Sequence, residues 1–195
     1  MAIDKTSSKL TAPEAQWDAR QPDNIDYLRP TAMRFLIQTL PNVTYFCQSA
    51  NIPEMSLGVA IQATPFIDLP HPGDKLNFGE LTIKFMVQET MADYIELYNW
   101  LIGLGFPDNR AQYASYVAAH NHMPSSGKNE AGQYSDATLL VLGSDNNPLT
   151  QITFYNCFPI SLSGLEFDIS NASTDYFQAQ AVFKFQKYFV ETVDI

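Results

Sequence analysis

Strict alternation of apolar and polar positions marks the end of this chain. Over residues 178–186, Ala179, Ala181, Phe183 and Phe185 fall on one face, and Gln178, Gln180, Lys184 and Gln186 on the other. Side chains of a strand point alternately to opposite sides, so the pattern predicts a sheet with one apolar and one wet surface. Residues 151–190 as a whole read as a strand, a turn bent at a proline, a second strand and a long final strand. The wet surface carries long amides and few charges. That composition fits a wall better than a reaction centre.

The same alternation recurs upstream. Met33, Phe35 and Ile37 predict a first strand, Pro41-Asn42 a turn, and residues 43–50 a second strand closing a hairpin with the first. Pro53 ends it. Residues 57–69 alternate through Val59, Ile61 and Ala63, but Pro65 and Pro70 restrict this stretch to an edge strand or an extended excursion. His71-Pro72-Gly73-Asp74 reads as a loop. Leu81, Ile83, Phe85 and Val87 then alternate with Thr82, Lys84, Met86 and Gln88, a further strand with a polar face.

The period next changes to that of a helix. Met91, Tyr94, Ile95, Tyr98, Leu101 and Ile102 share one face, and Asp93, Glu96 and Asn99 the other. Thr90 is the expected N-cap, and Gly103 and Gly105 the stop. Residues 110–122 read as a second helix with Tyr113, Tyr116 and Val117 on one side. Residues 124–132 read as a polar loop, and Asp145-Asn146-Asn147-Pro148 as a turn after a strand at 139–142. The expected organisation is an extended N-terminal arm over 1–30 and one β domain over 31–195, with an insertion at about 107–132. The fold class is mainly β (α+β): an antiparallel sandwich or barrel with one flanking amphipathic helix.

Composition narrows the function. The chain has 195 residues, 11 Lys and Arg against 21 Asp and Glu, and only 16% charged residues. A net charge of −10 argues against holding nucleic acid through its phosphates, which needs clustered cations. The first residues lack the apolar core of a signal peptide, and no stretch is long and apolar enough for a membrane helix. Cys47 and Cys157 each sit in an apolar run and read as buried free thiols of a protein made in a reducing cytoplasm. Thirteen Phe and ten Tyr exceed what one small core needs, so some aromatics are expected at subunit contacts.

Reactive constellations are weak. His120-Asn121-His122 is the nearest approach to a metal site, but adjacent positions on a helix point apart and no Cys, Asp or Glu stands at a ligand spacing. Asp93 and Glu96, three apart, could pair in acid–base chemistry; a solvated helix face explains them better. Asp175-Tyr176 reads as a turn. No catalytic residue, metal or cofactor is expected.

Two groups of residues carry a family resemblance. Met33-Arg34-Phe35-Leu36-Ile37-Gln38 followed by Phe46-Cys47-Gln48-Ser49-Ala50-Asn51-Ile52-Pro53 resembles the start of tail tube proteins of contractile-tailed bacteriophages. Leu81-Thr82-Ile83-Lys84-Phe85 with the helix through Tyr94 and Trp100 continues the order, as does the bend Cys157-Phe158-Pro159-Ile160-Ser161 before the alternating end. The resemblance covers about 31–106 and 150–190, in pattern and order.

It implies β-barrel-like subunits in hexameric rings that stack head to tail around a channel for DNA ejection. Sheath, baseplate and tail terminator proteins would be the partners, in a virion tail assembled in the host cytoplasm. The arm 1–30 and the segment 58–78 are the candidates for reaching the next ring. The expected lumen-facing residues are Thr82, Lys84, Gln88, Gln178, Gln180, Lys184 and Gln186, beside which DNA would pass without specific binding. A tube-initiating baseplate protein and a secretion-system tube share the resemblance. From another class, a soluble β-barrel would bury an apolar ligand among Phe85, Phe183 and Phe185.

Overall fold

The computed structural model describes residues 27–105, 107, 109–120, 133–168 and 176–193. Its strands are β1 (Met33–Ile37), β2 (Cys47–Ala50), β3 (Met55–Ala63), β4 (Asp68–Phe78), β5 (Leu81–Met86), β6 (Ser135–Leu142), β7 (Pro148–Leu162), β8 (Gln178–Lys184) and β9 (Lys187–Thr192). The helices are α1 (Pro41–Phe46), α2 (Ala92–Gly105) and α3 (Arg110–His120). Seven strands form one sheet in the order β1-β6-β7-β8-β5-β2, with β9 also on β7, and β3 pairs only with β4. Every pairing is antiparallel.

The long strand β7 folds that sheet into two layers. Its first half pairs with β6 and β9, its second half with β8. One layer is therefore β1-β6-β7-β9 and the other β7-β8-β5-β2. The corner lies at Asn156, whose φ of 54° is in the left-handed region that Asn tolerates. Its N–H donates to Asp136 Oδ1 at 2.9 Å and its Nδ2 to Gln186 Oε1 at 2.8 Å, so a polar clamp holds the bend. Apolar residues of both layers fill one core. Phe35, Leu139, Ile152 and Phe154 meet Leu81, Ile83, Phe85, Ala181 and Phe183, all nearly or fully buried. The Phe154 and Phe185 rings stand 5.2 Å apart and those of Trp100 and Phe183 6.1 Å apart. Phe85, Phe183 and Phe185 are packing residues of this filled core, and the clefts at the surface are lined by others.

Several expectations are corrected. Residues 43–46 are helical, so β1 and β2 are no hairpin: β1 pairs with β6 and β2 with β5. Pro41 opens α1, and Thr44 folds back to β1, accepting from the Ile37 N–H at 3.0 Å and donating to the Ile37 carbonyl at 3.2 Å. His71-Pro72-Gly73-Asp74 is strand, not loop, and completes an eleven-residue β4 against β3. There Gly73 is needed, because a Cβ would lie 2.6 Å from the Gly58 carbonyl oxygen. Pro159 lies within the β7 ladder opposite Phe183, and the bend falls at Asn156 instead. The long final strand is two strands, β8 and β9, parting after Lys184.

The buried face of α2 also differs. Asp93, Leu97, Trp100 and Gly103 are buried, while Ile95 and Tyr98 are exposed. Thr90 does not cap the backbone; its hydroxyl donates to Gln88 Oε1. The Asp93 carboxylate takes that role, accepting from the N–H groups of Gln88 and Tyr94. The polar loop 124–132, His122 and Asp175 lie outside the described residues, as does the arm apart from residues 27–30.

Both thiols are free, as expected, Cys157 buried and Cys47 half-buried. Burial pushes the Cys157 thiol up to about 12, with the Asp136 carboxylate adding to it, and the Cys47 thiol to about 11. Unfolded thiols ionise near their ordinary value, so the unfolded state loses these protons first as pH rises. The stability these two thiols contribute is therefore full below about pH 8.5 and declines from there towards pH 12. Native protein at pH 8 should resist alkylation at Cys157 and react fully in denaturant, a contrast read by intact-mass spectrometry.

Candidate functional site

The polar face of the β7-β8-β5-β2 layer gathers most of the residues singled out in the sequence. Register places Lys84 opposite Gln180, Met86 opposite Gln178, and Thr82 opposite Val182. With Leu81, Ile83, Phe85, Ala179, Ala181 and Phe183 buried on the inner side, period two sends Thr82, Lys84, Gln178, Gln180 and Lys184 outward together. Gln178 Nε2 donates to Gln48 Oε1 at 2.7 Å, and the Gln180 N–H to Ser163 Oγ at 2.8 Å. Ser49 lies beside Lys84 on β2. Glu80 Oε1 stands 3.2 Å from Lys184 Nζ and neutralises it, an exposed pair of little worth to stability. Lys84 has no ion-pair partner among the described residues. The face thus mixes amides and hydroxyls with Met86, Val182 and Phe158, and carries one unneutralised cation.

Two residues stand apart from it. Gln88 follows the end of β5, with its N–H tied to Asp93. Gln186 sits at the β8–β9 corner, accepting from Asn156 and donating its N–H to the Tyr155 carbonyl at 3.0 Å. Sequence reasoning missed Gln48, Ser49, Glu80 and Ser163. Only the first two had a readable signal, since both fall in a stretch expected to be strand.

Strand edges are the second feature. The Asn51 N–H bond to the Thr82 carbonyl fixes the phase of β2, so Ala50 turns its peptide group away from β5. On β7 the Ser163 N–H donates to the Gln180 carbonyl, which leaves Leu162 facing outward. In the other layer, the Leu142 N–H donates to Ala32, so Met33 and Phe35 face out from β1. The Val193 N–H donates to Leu149, so Tyr188, Val190 and Thr192 face out from β9. α1 joins the β1 edge to the β2 edge, and the other open edges are β9 and the second half of β7. A cleft of about 420 Å³ lies along β1, lined by Met33, Phe35, Thr44, Tyr45 and Cys47.

The acidic pair is structural in its surroundings. Asp93 is fully buried, and half-buried Glu96 accepts from Asn42 Nδ2 at 2.5 Å. Burial raises the Glu96 carboxyl above its ordinary value, opposed by the Asn42 hydrogen bonds. Neither acid is the solvated group expected. Among the described residues no three His, Cys, Asp or Glu side chains converge to hold a metal ion, and no helix is long and apolar enough to cross a membrane.

A two-layer antiparallel domain with a polar sheet face and open strand edges presents unpaired backbone donors and acceptors that another strand can join. The phage tail tube protein family matches residues 19–191, and the chain belongs to that family. Solved structures share its fold. A chain of the sheath–tube complex of an extracellular contractile injection system in its extended state aligns with TM-score 0.57 and 13% identity, over 92% of this chain and 97% of that one. A chain of the anti-feeding prophage tube-terminating cap aligns with TM-score 0.56 and 13% identity, over 90% and 97%. One from the anti-feeding prophage baseplate, 6-fold symmetrised, aligns with TM-score 0.55 and 14% identity, over 84% and 93%. No curated protein matches in sequence.

Proposed function

We propose that this chain is the repeating subunit of a phage tail tube. Six copies would join through the edges of the β7-β8-β5-β2 layer, with its polar face lining a channel for DNA. The observation that carries this reading is the polar sheet face flanked by two open edges. A four-stranded antiparallel layer has its two edge strands running in opposite directions. Copies related by rotation about one axis therefore bring β2 beside the second half of β7 in antiparallel sense, at every junction alike. That contact is heterologous and closes into a ring. Six such layers make a barrel of about 115 Å circumference at about 4.8 Å per strand, or roughly 37 Å across at the backbone. That leaves room for a duplex inside the side chains. Six-fold symmetry in a particle whose baseplate contains the same fold supports the number.

The lumen chemistry fits passage without adhesion. Amides and hydroxyls dominate, Glu80 offsets Lys184, and the chain as a whole is acidic. Gln88 and Gln186 would then lie at the margins of the lining. The channel residues act mechanically and electrostatically and carry no reaction. Sheath, baseplate and terminator proteins are the further partners this reading brings, in a virion tail assembled in the host cytoplasm.

Lumen placement is tested by adding charge. Thr82→Lys with Gln180→Lys should leave ring assembly intact and make rings retain duplex DNA at low salt, with release as salt rises. Wild-type rings should retain none. Equal retention by both would remove these residues from the channel.

A further inference from the structure

We propose that the β3–β4 hairpin of each copy fills the outer layer of the ring, between its own β9 and the β1 edge of the neighbouring copy. The inference rests on the ring reading above. Its first support is geometric. Stacked sheets lie about 10 Å apart, so the outer layer sits about 10 Å farther from the ring axis and each of six copies must span about 10 Å more. Both layers have four strands. When the inner edges meet, the outer edges β1 and β9 are left apart by room for about two strands at about 4.8 Å each. Among the described residues, the β3–β4 hairpin is a two-stranded piece that pairs with no other strand.

The hairpin is built to be covered. Register puts Met55, Leu57, Val59 and Ile61 on one face with Phe78, Leu76, Pro72 and Pro70, an apolar surface that ends at Asp68 near the tip. Val59 is 64% and Ile61 68% exposed. The opposite face carries Ser56, Gln62, His71 and Asn77 beside Ala60 and Leu69, with His71 and Gln62 joined at 3.0 Å. Uncovered apolar strands of this length are an aggregation hazard unless a partner seats them.

Its root and its prolines orient it. Phe78 packs against Phe185 and Tyr188, and the Tyr188 hydroxyl donates to the Pro53 carbonyl, so the hairpin springs from beside β9. In the ring, β9 faces the neighbour's β1. The bonding pair Thr64–Ile67 fixes the phase, so Pro70 and Pro72 occupy the outward positions of β4, where they offer no N–H. The outward positions of β3, Val59 and Ile61 among them, keep theirs. β3 is therefore the pairing edge. It adds to Met33 and Phe35 of the neighbour across the cleft beside Tyr45.

Val59→Pro removes one outward N–H of β3 without touching its bonds to β4. The variant should melt with the wild type as a monomer, and its rings should dissociate at a subunit concentration at least tenfold higher. Electron cryomicroscopy of wild-type rings should show β3 one strand spacing, about 4.8 Å, from the neighbour's β1. Rings that form through the inner edges with the hairpin on the next ring or in the lumen would overturn this inference and spare the ring reading. Failure of the wild-type protein to form rings would remove both.

Discussion

Replacing Trp100 by alanine will lower the melting temperature of the subunit by roughly 6–20 °C. Trp100 is 1% exposed, its ring meets Phe183, and its Nε1–H donates to the Gln133 carbonyl at 3.3 Å. It pins α2 to the core shared by both layers. Truncation leaves a cavity and an unpaired carbonyl, at a cost of about 3–5 kcal/mol. For a chain of this size each kcal/mol is worth roughly 2–4 °C, which gives the expected fall. Tyr98→Ala, on the exposed side of the same helix, should cost under about 1 kcal/mol. Thermal unfolding of the two variants separates the observed buried face from the one that helical periodicity favours. Equal losses would contradict the packing.

Ala50→Pro will abolish ring formation while leaving the monomer folded. The N–H of Ala50 points away from β5, because Ser49 and Asn51 are the positions bonded to Lys84 and Thr82. Proline is tolerated at such an edge position, where no ladder bond is lost. It removes a donor from the proposed β2–β7 junction six times in a ring, and its ring obstructs the approaching strand. Monomer melting should shift by only a few degrees. Size-exclusion chromatography with light scattering should show monomer at concentrations where the wild type forms rings. Rings from Ala50→Pro would mean that β2 is not a junction strand.

Much of the sheet was legible because strand alternation is local. The apolar sets of β1, β5 and β8 follow directly from period two, and with them the five polar residues that share one face. What was hidden depended on contacts distant in sequence. The α2 stripe misled because apolar residues lie on both sides of the helix. Its buried side includes Asp93, a residue that pattern reading assigns to water. Backbone N–H groups of Gln88 and Tyr94 satisfy that carboxylate, which removes most of the cost of burying it. Residues 43–46 contain Val43 and Thr44, β-branched residues that favour strands, yet Pro41 and the Thr44 bonds to Ile37 fold them as a helix.

His71-Pro72-Gly73-Asp74 carried every sign of a loop, but its proline sits where a strand needs no donor. The corner between β8 and β9 contains neither Gly nor Pro. It is made by Gln186 meeting Asn156, thirty positions earlier, which no local pattern can show. Strand edges were equally unreadable, since which strand ends a sheet is decided by the order β1-β6-β7-β8-β5-β2.

The central claim is a ring closed through β2 and the second half of β7 with the Thr82, Lys84, Gln178, Gln180 and Lys184 face inside. Electron cryomicroscopy of the purified protein at high concentration tests it most directly. The expected result is a hollow six-membered ring or stacked tube, its inner wall an unbroken antiparallel barrel with those five residues facing the channel. A ring lined by the β1-β6-β7-β9 layer, or a monomer at every concentration, would contradict it.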